Sequence, residues 1–150
     1  MDANGQITLA GIGWREIVNG EEEVDMKRVM CKGKIHRATV TEADLNYVGS
    51  ITVDRTLMEE ANIRPYEQVQ ITSLRNATRW KTYALPAPPG SGKICLNGPP
   101  ALLFQPGDIV IILSLGIYEE EEISSLKPRV VFVDENNAVI RIEEHDVNEW

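Results

Sequence analysis

The chain has 150 residues, of which 43% are hydrophobic and 25% charged, and a net charge of -8. That length suits one domain with a real core and is short for two. No apolar run reaches the roughly 20 residues of a bilayer crossing, so no membrane partner is expected; the overall acidity disfavours nucleic acid, whose phosphates reward clustered Lys and Arg.

Residues 1–25 lack the basic start of a secretory signal and carry 6 acids against 1 base, so we expect a mobile N-terminal extension on a cytoplasmic protein. Residues 26–116 reverse the balance, with 11 bases against 7 acids, and residues 117–150 return to 10 acids against 3 bases. A basic centre between acidic flanks can hold a small anion. Two lone cysteines, Cys31 and Cys95, in a chain without an export signal read as reduced core residues, with no disulfide.

From Arg28 to Val40, β-branched residues alternate with basic ones, which predicts a strand presenting Lys32, Lys34 and His36 on one face. "SITVD" (50–54) is a second strand. Thr56 and Glu59 have the capping-box form, opening a short helix that Pro65 bounds. "EQVQITSL", "TRWKTYAL", "KICLNG" and "GDIVIILSLGIY" supply four more strands, with a helical turn or two at "PPALLF". "RVVFVDENNAVIRI" reads as a closing hairpin before a polar tail, residues 141–150. Many short strands and few helices predict a mainly β fold, a compact barrel or sandwich.

Three tempting motifs fail on chemistry. "PAPPGSGKI" has Ala87 and Ile94 where a phosphate-binding loop needs Gly and Ser or Thr, so it reads as a surface loop. His36, His145, Cys31 and Cys95 lack zinc spacing, and no metal is expected. The glutamates 119–122 read as a solvated face. Gly49-Ser50 is different, because it interrupts good strand material where no turn is needed.

"GKIHRATVTEADLNYVGSITVD", then "TRWKTYAL", "LNGPPA" and "GDIVII", resembles the pyruvoyl-dependent aspartate 1-decarboxylase family over residues 26–140. The resemblance implies a double-psi β-barrel with short helices, a homotetramer, and conversion of L-aspartate to β-alanine and CO₂ for pantothenate and coenzyme A. It implies cleavage between Gly49 and Ser50, with Ser50 becoming a covalent pyruvoyl cofactor that forms a Schiff base with the substrate. By the same resemblance Thr82 assists processing and Tyr83 donates the proton. Lys34, Arg79, Thr82, Asn97, Gly98, Pro99 and Pro100 face the substrate. Family members commonly carry small residues where Pro99 and Pro100 stand, and these prolines have no N–H to donate.

The chemistry suits the residue types. A Ser hydroxyl attacks the preceding carbonyl only if the backbone bends, and Gly49 removes the Cβ that obstructs the bend. Aspartate brings two carboxylates, which a guanidinium (Arg79) and an ammonium (Lys34) can hold. A tyrosine hydroxyl carries its proton at neutral pH and can act as an acid. Strict alternation puts Arg79 and Tyr83 on one strand face and Thr82 on the other, so a shared pocket requires a bulge or a neighbouring subunit. A maturation factor is held open beside spontaneous cleavage. The rival readings are a non-catalytic barrel and a pyruvoyl decarboxylase for another acidic amino acid.

Overall fold

Period-two alternation pervades the chain, and strands follow wherever it meets β-branched residues. A computed structural model describes residues 26–150 and the backbone of Ile17–Val18 and Glu21–Glu22. These two short segments, β1 and β2, pair antiparallel. The rest of the expected mobile extension lies outside the described residues. There follow β3 (Lys27–Thr39), β4 (Glu42–Asp44), β5 (Ser50–Asp54), α1 (Arg55–Glu60), β6 (Gln68–Ser73), β7 (Arg79–Ala87) and β8 (Ile94–Asn97). A 3-10 turn at Pro99–Leu102 precedes β9 (Ile109–Glu119), α2 (Glu120–Ile123) and the hairpin β10 (Arg129–Val133) and β11 (Val139–Glu144).

Nine strands form one mixed sheet in the order β11-β10-β3-β9-β6-β7-β5-β8-β4. The architecture is mainly β and barrel-like, as the sequence predicts. Its core is built from cross-strand rows: Ile35 pairs with Ile112, which pairs with Ile71, all fully buried. Val53, Leu57, Met58, Leu96, Phe104 and Val131 close around them. Each such side chain contributes about 1.5–3 kcal/mol on burial. Lys32, Lys34 and His36 alternate as half-buried residues with buried Gly33 and Ile35, so they do share a face. Two bulges bend β3, between Cys31 and Gly33 and between Ile35 and Ala38.

Several expectations change. The helix cap is Asp54, not Thr56: its carboxylate accepts from the Thr56 N–H at 2.8 Å, so the helix starts at Arg55 and Glu59 pairs with Arg55 instead. The same carboxylate, 2% exposed, also accepts from the Gly90 and Gly92 N–H groups at 3.1 and 2.8 Å. The glycine-rich loop therefore spends its amides on an internal anion, which gives a physical reason against phosphate binding there. Cys31 is exposed rather than a core residue, because the alternation of β3 turns it outward; Cys95 is buried, and both thiols are free. Of the four glutamates, Glu120, Glu121 and Glu122 are exposed in α2, where acids suit a helix start, and half-buried Glu119 is its N-cap. β4 was not anticipated, since three residues carry no periodic signal. The 134–137 turn is pinned by Asn137, 1% exposed, which makes three hydrogen bonds of 2.8 Å to Thr39 and Gly92 backbone groups.

No helix among the described residues is long and apolar enough to cross a membrane. Gly33 allows α1 to sit on β3: a Cβ there would lie 1.7 Å from the Ala61 carbonyl oxygen. Replacing Gly33 with Ala therefore forces backbone apart, and the expected loss is about 1–3 kcal/mol, read as a lower urea midpoint.

Candidate active site

β5 and β8 run antiparallel, with Ser50 opposite Asn97 and Thr52 opposite Cys95. Period two puts Ser50 and Thr52 on one face, so these two pairs stack as a polar quartet. Asn97, 3% exposed, donates its amide hydrogens to Ser50 Oγ at 3.3 Å and Thr52 Oγ1 at 2.8 Å. The Cys95 thiol occupies the other end of that amide, donating to Asn97 Oδ1 at 3.0 Å. Burial, followed by the nearby Glu42 charge, pushes the Cys95 thiol up, which keeps the S–H available as a donor. The amide thus has one orientation, with its NH₂ toward Ser50.

Ser50 itself is 1% exposed and has φ 124°, a backbone region costing a side-chain-bearing residue about 1–3 kcal/mol. The carbonyl before it, that of Gly49, accepts from Tyr83 Oη at 3.1 Å. The strand register explains this reach. β5 and β7 are parallel with Ile51 opposite Ala84, which brings the segment before Ile51 alongside the part of β7 that carries Tyr83. The Tyr83 ring stacks on Tyr66 with centroids 5.6 Å apart.

β4 closes the site from the other side. Its parallel ladder places Asp44 opposite Asn97, and the Asp44 carbonyl accepts from the Gly98 N–H at 2.7 Å. Gly98 has φ 75°, and a Cβ on it would approach Gly49 Cα to 3.2 Å and the Tyr47 carbonyl oxygen to 3.3 Å. A Cβ at Gly49 would meet nothing within 4 Å beyond its chain neighbours, so any demand for glycine there is local to the Gly49-Ser50 unit. Pro99 and Pro100 take the first two positions of the 3-10 turn, where a missing N–H costs no hydrogen bond.

The fold thus gathers Gly49, Ser50, Tyr83, Asn97 and Gly98, together with Thr52, Cys95 and Tyr66, which the sequence analysis did not assign to the site. Period two around Ser50 was the available signal for Thr52. Cys95 and Tyr66 had none, since their roles arise from long-range pairing. Thr82 is half-buried opposite Val69, and its hydroxyl makes no hydrogen bond among the described residues. The β6–β7 register is unbroken, so Arg79 and Tyr83 share one face and Thr82 the other. Arg79 is exposed and Lys34 half-buried on β3; neither has a carboxylate partner among the described residues. Surface clefts of 390, 410 and 550 Å³ are lined by other residues than Ser50, Tyr83 or Asn97. No group of three His, Cys, Asp or Glu among the described residues is arranged to hold a metal ion.

Comparison with known proteins identifies the family. The family described as aspartate decarboxylase matches residues 26–140. The aspartate 1-decarboxylase of Moorella thermoacetica is 52% identical over 118 residues, covering 79% of this chain and 92% of its own. That of Thermoanaerobacter pseudethanolicus is 53% identical over 117 residues, 78% of this chain and all of the relative. That of Listeria monocytogenes is 52% identical over 114 residues, 76% and 90% of the two chains.

Beside Lys34, His36 offers a pH probe. Burial first, then the Lys34 and Arg37 charges, holds its imidazole below the usual 6.5. Its Nδ1 is buried without a partner among the described residues, and the ring meets Phe132 edge-on at 5.3 Å. Below pH 6.5 the unfolded chain takes a proton that the folded chain resists, so stability falls with falling pH until the folded imidazole itself protonates. Melting temperatures followed from pH 7.5 to 5 should show that decline, and His36→Gln should flatten it.

Proposed function

Because the chain belongs to the aspartate decarboxylase family, we propose that it converts L-aspartate to β-alanine and CO₂ after cutting itself between Gly49 and Ser50. The observation that carries the processing half is the hydrogen bond from Tyr83 Oη to the Gly49 carbonyl, 3.1 Å, next to a Ser50 held at φ 124°. A polarised carbonyl and a strained following residue favour attack by Ser50 Oγ.

In the processing step, the Oγ–C bond forms as the Gly49–Ser50 C–N bond breaks, leaving an ester. Loss of the Ser50 α-proton then expels Gly49 as a carboxylate and creates a dehydroalanine, and water releases its nitrogen as ammonia. Asn97 orients the Oγ and Tyr83 stabilises the oxyanion, with the Thr82 hydroxyl, on the other face of β7, assigned to this step by the family resemblance. The pyruvoyl group so formed supplies an electron sink for loss of the α-carboxylate.

Tyr83, freed from Gly49 by cleavage, carries the proton for the carbon that loses CO₂. Arg79 and Lys34 bind the two carboxylates, and Gly98, Pro99 and Pro100 shape the wall beside Asn97. Among the described residues both cations are without carboxylate partners and neither hydrogen-bonds the Ser50 quartet, which supports an arrangement in which another copy within a homotetramer completes each site. Residues 26–140 are the catalytic domain in this reading, and the enzyme works in the cytoplasm, where its two free thiols stay reduced. Its β-alanine feeds pantothenate and coenzyme A.

Purified protein should resolve on a denaturing gel into two fragments meeting at residues 49 and 50, the longer without a free amino terminus. It should make β-alanine from aspartate and no decarboxylated product from glutamate. Uncut chain that matures only on adding cell extract would point to a maturation factor; chain that never matures and releases no CO₂ would leave a non-catalytic barrel. Ser50→Ala should stay intact and inactive. Thr82→Val and Tyr83→Phe should both slow cleavage, and the fraction of Tyr83→Phe that is cut should show kcat lowered by about 10²-fold with little change in KM.

A further inference from the structure

The turn Arg64–Glu67, closed by the Glu67 N–H on the Arg64 carbonyl at 3.1 Å, has Pro65 and Tyr66 at its centre. Its third residue takes φ 67°, where glycine or asparagine is the unstrained choice. An aromatic residue there works against the local preference, and burial does not explain it, since Tyr66 is 74% exposed. What the conformation achieves is a stack: the Tyr66 ring lies 13° from parallel to that of Tyr83, with centroids 5.6 Å apart. The backbone locks the arrangement, because the Tyr66 N–H donates to the Ala84 carbonyl at 2.8 Å and the Ala84 N–H to the Glu67 carbonyl at 3.0 Å. The turn is thereby clamped to β7 one residue beyond Tyr83.

We propose that Tyr66 is a positioning residue for Tyr83, a strained turn residue whose ring holds the proton-donating phenol in place once the chain is cut. This rests on the decarboxylase reading. Before cleavage the Tyr83 hydroxyl is anchored on the Gly49 carbonyl. Cleavage turns Gly49 into a chain terminus and removes that anchor, whereas the Tyr66 stack does not depend on the Gly49–Ser50 bond. Backbone strain kept at an exposed position beside reacting groups is the pattern expected of preorganisation.

The test compares Tyr66→Phe, Tyr66→Asn and Tyr66→Gly in the full-length enzyme. Asn and Gly relieve the φ strain, so their melting temperatures should match or exceed that of the parent, with cleavage complete. Their kcat for aspartate should nonetheless fall on the order of tenfold with KM nearly unchanged, and Phe, which keeps the ring, should restore it. Undiminished kcat in Tyr66→Asn, or a Phe variant as poor as the Gly variant, would overturn the proposal. So would losses of activity that track losses of melting temperature. Ring-flip rates of Tyr83, measured by NMR in the cleaved enzyme with and without Tyr66→Gly, decide the point independently of turnover. Faster flipping without the Tyr66 ring is expected, and an unchanged rate would sink the idea. Parent enzyme that stays uncut and inert would instead refute the decarboxylase reading.

Discussion

Ser50 faces Asn97 across an antiparallel ladder, and Thr52 faces Cys95 two residues along. The amide of Asn97 bridges the pairs because a buried thiol takes its oxygen, leaving both hydrogens for the two hydroxyls. A buried side chain can satisfy three neighbours only if the strands hold their register, and a slip of one residue would turn Ser50 to the other face of β5. The apolar neighbours resist such a slip: Ile51 and Val53, on the opposite face, are fully buried. The polar quartet and the core thus specify one register from two sides.

Strain is distributed unevenly around this ladder. Asn137 and Asn62 take positive φ, in the αL region that asparagine tolerates, and Asn137 is paid back with three hydrogen bonds. Ser50 and Tyr66 have no such compensation from their own side chains: Ser50 keeps one long contact to Asn97, and Tyr66 is exposed. Both lie against Tyr83, one through the Gly49 carbonyl and one through the ring stack. Local costs of this kind persist where surrounding structure over-determines them, and the clamps from β4, β7 and β8 do so here.

Glycines and prolines near the site act by what they leave out. Gly98 leaves out a Cβ that would press on Gly49 and Tyr47, allowing β8 to pass close beneath the segment before Ser50. Pro99 and Pro100 leave out amide hydrogens at the start of a 3-10 turn, where no intrahelical acceptor exists for them. The glycine-rich loop at 90–92 keeps its amides but turns them on Asp54, so a stretch resembling a phosphate loop is instead fastened to the junction of β5 and α1.

Local pattern alone determined the longer strands of the chain, the mainly β class, the hairpin at its end and the oddity of Gly49-Ser50, because alternation and turn chemistry are written over a few adjacent residues. Motifs in register marked the family and Ser50, Tyr83 and Asn97. Tertiary structure alone decided that β4 exists, that Cys95 faces Asn97, and that Tyr66 lies on Tyr83. Each of those depends on which strand becomes a neighbour of which, with partners 17 to 47 positions apart in the sequence for the ring stack and the thiol quartet. Pairing at that distance is settled by burial and register across the whole sheet, and a linear string of residues carries no local trace of it.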